Sequence, residues 1–289
     1  MKLIKSDNCI YAFSQSMQPV ETAEPGEILL FETSDALGGQ IKDENDTTNL
    51  DFSKVNPATG PVFIKNAHVG QTLKVKILDI EISDRGVIVA EEGFGVLPDA
   101  IKGFKAKVLE INNGFICFDN ITLSIDPMIG VIGVAPEKGE FPTGTASKHG
   151  GNMDTKYIKS GSTLYLPIFQ EGALLALGDV HALMADGEVC VSACEVGSKV
   201  TIKTELIDRK INWPVVETDQ GYFILVSLPD INEAFREATL QSVELLSEQL
   251  RIPFEKAYML ASLVVDIQIS QLVDPNKTVR AFVPKRIFW

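Results

Sequence analysis

The sequence predicts a mainly β fold with an α+β C-terminal portion. Three observations predict it. Over the first two hundred residues, short runs rich in Val, Ile and Phe are separated by Asn, Asp, Gly and Pro, the pattern of an antiparallel sandwich or barrel. One run alternates polar and apolar residues with the two-residue period of a half-exposed strand. Near the C-terminus the period becomes that of amphipathic helices. A boundary near Gly197 divides a β-rich portion, 1–196, from an α+β portion, 197–289.

Taken in order, the first strand is expected over 28–32, after the Pro25-Gly26 turn. Strands follow over 72–82 and 87–90, the latter ending at Glu91-Glu92-Gly93. Alternation runs from Lys74 to Ile77 and resumes from Asp79 to Ile82, so a bulge is expected near Leu78. Residues 107–111 and 114–118 flank Asn112-Asn113 as two more strands. Asn56-Pro57-Ala58-Thr59-Gly60-Pro61 has the composition of a rigid turn. Asp186-Gly187, between two apolar runs, predicts a type I′ hairpin, because both positions tolerate positive φ. In the C-terminal portion, strands over 199–206 and 222–227 lead to Pro229-Asp230. Asp230 and Glu233 resemble a capping box for a helix reaching about Leu250, with Ile231, Phe235, Ala238, Val243, Leu246 and Leu250 as its buried stripe. Pro253 opens a second helix expected to run to roughly Ile269, and Asp274-Pro275-Asn276 turns the chain into a last strand over 278–283.

The balance of charge narrows the function. Lys and Arg number 26 against 39 Asp and Glu, a formal net charge of −13. Nucleic-acid binding needs a basic face to neutralise phosphates, and no cluster of Lys and Arg supplies one. The most apolar stretches, 128–136, 172–178 and 257–265, are about half the length that crosses a bilayer. The opening Met-Lys-Leu-Ile-Lys-Ser-Asp lacks the apolar centre of a secretory signal, so a cytoplasmic protein is expected. Cys9, Cys117, Cys190 and Cys194 are too few and scattered for a disulfide scaffold. On a strand Cys190 and Cys194 would sit roughly 13 Å apart, beyond disulfide reach.

With only three histidines, the surroundings of each carry information. Asp179 and His181, two apart in a predicted strand, point to one face at roughly 7 Å between Cα atoms, which suits one metal ion. Pairing of Ala185 with Glu188 across the hairpin would set His181 opposite Ser192 and Asp179 opposite Cys194. Glu188 then lies on the same side, whereas a bulge would put Glu195 there instead. A second cluster is His149-Gly150-Gly151-Asn152-Met153-Asp154, where two glycines let the backbone approach a ligand and His149 and Asp154 could reach a metal. His68, in a polar turn, reads as a surface residue. Asp35 ends a probable strand and by itself would be assigned to solvent.

Phe31-Glu32-Thr33-Ser34-Asp35-Ala36, residues 56–61, Gly150-Gly151-Asn152-Met153-Asp154, Leu166-Pro167-Ile168-Phe169 with Glu171-Gly172-Ala173-Leu174, and Gly178-Asp179-Val180-His181-Ala182 through Asp186-Gly187-Glu188, taken in this order, resemble the acetamidase/formamidase family. The likeness ends in Asp266-Ile267-Gln268-Ile269-Ser270-Gln271, expected in the last helix. The resemblance implies a jelly-roll-like N-terminal part, a β barrel-like central part and an α+β C-terminal part. It also implies hydrolysis of formamide, acetamide or similar short amides to ammonia and the carboxylate. A divalent metal, zinc foremost, is implied with it; calcium belongs to the non-catalytic alternative below. The chain departs from the family pattern at Met184, often glutamine there, and at Ala185, usually glycine.

Amide hydrolysis requires an activated water, a stabilised oxyanion and a proton for the departing nitrogen. The expected metal ligands are Asp35, Asp154, Asp179 and His181. Glu188 is the candidate base, Glu140 the lesser one, and His149 a reserve ligand or acid. Gly150, Gly151 and Asn152 would contact substrate, the glycine amides as oxyanion donors. A cysteine amidase using Cys190 or Cys194 with a glutamate and Lys148 is the alternative enzyme. A calcium-binding β-sandwich module is the non-catalytic one. A homodimer is expected of either enzyme.

Overall fold

The computed structural model describes residues 1–46 and 50–288. The fold is mainly β, with α-helices at Ile231–Leu250 and Phe254–Val264. Its strands join large sheets, and among the described residues they do not close into a barrel.

The strand Thr72–Glu91 organises the N-terminal portion. It absorbs both runs expected there. Glu195–Ile207 pairs with it along nearly its whole length, Thr163–Pro167 pairs with its first five residues, and Phe104–Asn112 with its last part. Thr201 pairs with Asp79 but Ile202 pairs with Ile77, so Leu78 is the extra residue of a bulge, as the broken alternation predicted. The Phe104–Asn112 and Phe115–Phe118 strands form a hairpin in which Asn113 and Gly114 both take positive φ, 53° and 81°. Leu29, Phe31, Leu73, Val75, Ile77, Val200 and Ile202 belong to the main core under these strands.

Residues 56–61 do more than turn. Ala58–Ile64 is a strand against Leu175–His181, and a Cβ on Gly178 would come within 2.1 Å of the Pro57 carbonyl. Glycine at 178 therefore lets the two backbones touch, and this contact backs the strand that carries Asp179 and His181.

Asp230 caps the first helix, accepting from the Asn232 and Glu233 amides at 2.8 and 3.0 Å. Ala238, Val243 and Leu246 are buried, with Ile231, Phe235 and Leu250 packed beside them. The second helix ends at Val264 instead of Ile269. Asp266–Gln271 is a strand antiparallel to Lys277–Pro284, because pairing with that hairpin partner offers backbone hydrogen bonds that outweigh a continued apolar helical spacing. A second core, including Val226, Ala234, Val279 and Val283, lies between these helices and this sheet. The 196/197 division falls inside Glu195–Ile207, a strand paired throughout with N-terminal strands.

Candidate active site

One buried imidazole stands among carboxylates. His181 Nε2 lies 3.2 Å from Glu195 Oε2, 3.4 Å from Asp179 Oδ1, 3.9 Å from Asp154 Oδ1 and 4.0 Å from Glu188 Oε1. All five residues are buried. Two sets of donor atoms are each close enough for one metal ion: Asp154, His181 and Glu188, and Asp179, His181 and Glu195. A single Nε2 lone pair serves one cation.

Local backbone geometry produces this convergence. Asp179 has φ 51° inside its strand, a conformation Asp tolerates, and it aims its carboxylate at the ring two residues on. Gly130 provides the floor: a Cβ there would lie 2.5 Å from Asp154 Oδ1 and 2.7 Å from Asp179 Oδ2. Asp154 and Glu188 also take positive φ, 39° and 48°. His181 pairs with Glu195 across the sheet, three residues from the expected partner Ser192. The turn itself forms, the Glu188 amide donating to the Ala185 carbonyl at 3.3 Å, but Asp186 lacks the positive φ of type I′ and no hairpin ladder follows, the chain pairing elsewhere at Gly187. Its amide donates to the Ser270 carbonyl at 2.7 Å and its carbonyl accepts from Leu272 at 3.2 Å. The longer excursion, 182–194, brings both Glu188 and Glu195 to the ring.

The electrostatics of the cluster would suit a cation. Burial first, and the Asp179 charge second, raise Asp154 to about 7, and burial likewise raises Glu195 to about 8. Glu188 and Asp274 are pushed well above the carboxylate range by burial and by the Asp154 charge. Burial opposes charge on His181, but Glu195 and Asp179 outweigh it and hold its pKa well above the usual value. Both Asp154 oxygens, both His181 nitrogens and Glu195 Oε2 are buried without a hydrogen-bond partner among the described residues. Buried polar atoms are costly unless paired, and a divalent cation would satisfy this donor set.

The remaining candidates lie outside both ligand sets. Asp35 Oδ1 accepts from the Leu37 and Gly39 amides, both at 2.9 Å, and so caps a turn outside both ligand sets. Burial, with Asp179 as a smaller contributor, raises its pKa. Glu140 is exposed on a two-stranded ribbon opposite Ser14 and does not join the cluster. His149 is buried between the rings of Phe13 and Phe141, at 5.1 and 4.8 Å, and burial pushes it down to about 3. The Gly150 amide donates to the Ser147 carbonyl at 3.1 Å, so it is not free for an oxyanion. Both glycines serve close strand approach: a Cβ on Gly150 would lie 2.3 Å from the Ile132 carbonyl, and one on Gly151 2.4 Å from that of Thr145. His68 is on the surface with Glu171 at 2.8 Å.

Two residues at the cluster were not among the expected site residues. Glu195 is fixed by the Ala193 amide on Oε1 at 2.8 Å, leaving Oε2 toward His181. Asp274 lies against Asp154 and accepts from Asn152 Nδ2 at 2.8 Å, so Asn152 orients a carboxylate. Glu195 was visible only as the product of a bulge. For Asp274, the Asp-Pro-Asn turn gave no sign that the turn reaches the site.

The acetamidase/formamidase family profile matches residues 5–145 and 138–289, together nearly the whole chain. The chain belongs to the acetamidase/formamidase family. It is an amidase, a hydrolase of amide bonds. A "predicted acetamidase/formamidase" from Thermoanaerobacter tengcongensis is 41% identical, with TM-score 0.97 over 99% of this chain and 96% of that one. An acetamidase from Bacillus halodurans is 35% identical, with TM-score 0.97 over 99% and 98%. A formamidase from Methylophilus methylotrophus is 23% identical over 93% of this chain and 86% of its own. These family likenesses extend over both portions of the chain, including the loops that assemble the carboxylates.

Proposed function

We propose that this chain is a metal-dependent hydrolase of short aliphatic amides, formamide and acetamide foremost, releasing ammonia and the carboxylate. The observation that carries the reading is the set of buried, mutually repelling and unpartnered donors around His181 Nε2. Relatives named formamidase and acetamidase support the substrate class. Asp179, His181 and Glu195 would hold the cation, with Asp154 completing the set from across Gly130. When bound, the ion supplies Lewis acidity for the amide carbonyl and for a nucleophilic water. A nitrogen donor among oxygens favours zinc, and calcium is the alternative on the oxygen-rich side formed by Asp154, Glu188 and Asp274.

Glu188 is the group we assign to proton transfer. Burial and the Asp154 charge raise its pKa well above the usual carboxylate range, and beside His181 it would take a proton from the attacking water and deliver it to the departing nitrogen. Asn152 keeps Asp274 in place beside Asp154. In this reading 1–196 carries the cation ligands and 197–289 adds Asp274.

The cysteine alternative has less support. Burial first, then the Glu195 charge, raises the Cys194 thiol to about 12, far from the thiolate a nucleophile needs. Lys148 lies over the Trp213 ring at 5.4 Å. A homodimer is part of the proposal, and the exposed Tyr258, Met259 and Leu263 give the second helix an apolar outer face for it. Among the described residues no helix is long and apolar enough to cross a membrane. A cytoplasmic location is also proposed, in keeping with four free cysteines.

The test is ammonia release from formamide, acetamide, propionamide and urea before and after chelation. Activity on the first two, lost with a chelator and restored by zinc, is expected. Unchanged turnover in metal-free protein, or inactivation by a thiol alkylating agent, would overturn the reading.

A further inference from the structure

We propose that Arg280 and Asp186 form a clamp by which the C-terminal sheet positions Glu188 for the amidase reaction. This rests on the assignment of Glu188 made above. Arg280, only 1% exposed, is the largest fully buried side chain among the described residues. Its guanidinium grips Asp186 with both nitrogens, Nη1 to Oδ1 at 3.0 Å and Nη2 to Oδ2 at 2.7 Å. Its other donors are fixed on its own sheet: Nε to Gln268 Oε1 at 2.9 Å, and Nη1 to the Ile269 carbonyl at 2.6 Å and to Ser270 Oγ at 3.2 Å. The group also lies 5.1 Å from the Tyr157 ring centroid. A planar fork held at so many points cannot swing, and whatever it holds is fixed with it.

What it holds is the turn that presents Glu188. Asp186 is two residues before Glu188, and the intervening Gly187 bridges to Gln271 by the two backbone hydrogen bonds already described. The same network reaches Asp154. Thr155 Oγ1 donates to Ser270 Oγ at 2.8 Å, and Thr155 adjoins Asp154 in sequence. One buried cation outside the metal set thus seats two carboxylates, both at positive φ, that have no regular strand to hold them. Lys156, 2.9 Å from Asp186 and partly exposed, only supplements the grip.

Positioning and mere stability differ in how they combine with loss of Glu188. The experiment is a double-mutant cycle of Asp186→Asn with Glu188→Gln on the metal-loaded enzyme, read as kcat and KM for acetamide. Asp186→Asn is expected to lower kcat about tenfold with KM changed less than about twofold, as for removal of a supporting hydrogen-bond partner. In the Glu188→Gln background it should change kcat by less than about twofold. Asp186→Glu, which keeps the carboxylate, should recover most of the turnover. Arg280→Lys, which keeps the charge but not the fork, should repeat the Asp186→Asn pattern if Asp186→Asn fails to fold. Equal losses in both backgrounds, or no loss with Glu188 present, would overturn the clamp alone. Full turnover in Glu188→Gln would overturn both the clamp and the role of Glu188.

Discussion

The carboxylates around His181 are held in two different ways. Asp179, His181 and Glu195 sit on or at the ends of paired strands, and Glu195 is further tied to the Ala193 amide. Asp154, Glu188 and Asp274 project from irregular segments whose positions depend on the Ser270–Arg280 region of the C-terminal sheet. Strand pairing fixes a side chain through many backbone hydrogen bonds, whereas a loop needs specific side-chain ties. The first set, joined by Asp154, is therefore suited to holding an ion, and Glu188 and Asp274 to adjusting protons around it.

Substitutions should separate the two sets. The largest effect within the loop set is expected from Glu188→Gln, which removes the proposed proton carrier but keeps shape. It should lower kcat by about 10²–10⁴ while bound metal persists, measured by steady-state ammonia release and elemental analysis. Metal loss in this variant would place Glu188 with the ion-holding set and break the comparison.

Gly130→Ala probes the floor that both sets share. The new methyl would meet Asp154 Oδ1 and Asp179 Oδ2 below van der Waals distance. Overpacking of this kind costs about 1–3 kcal/mol, and thermal unfolding should record it together with weaker metal retention. Unaltered stability and metal content would mean that the floor has room to yield.

A smaller effect is expected from pH on the metal-free protein. Asp154 at about 7 and Glu195 at about 8 bind protons more tightly when folded than when unfolded. Their contribution is fully present below the unfolded carboxylate values and is lost as pH rises through the folded ones. His181, also raised, acts in the same direction above its ordinary value. The Tm of metal-free protein should thus fall from pH 4 to about 8, and metal should flatten the profile. A metal-free Tm that rises over this interval would contradict the crowding.

The same division explains what could be read from the sequence. Asp179 and His181 were legible because strand alternation puts residues two apart on one face, and the bulge at Leu78 because it interrupts that alternation. Helix capping at Asp230 was legible for an equally local reason. Loop contacts obey no such period. Asp186-Gly187 carried a hairpin signal, yet Arg280 and Ser270, far along the chain, decide its partner. Asp274 had only a turn signature, and the contact with Asn152 that brings it to the site spans 122 residues. Asp266–Gln271 kept an apolar spacing compatible with a helix until pairing with Lys277–Pro284 made it a strand.

The most direct test is the divalent metal content of dialysed protein, wild type against Asp179→Ala and His181→Ala, measured on the same samples as ammonia release. The account predicts bound metal in the wild type and its loss from both variants together with activity, while circular dichroism still reports a folded β protein. Folded variants that keep both their metal and their activity would contradict it.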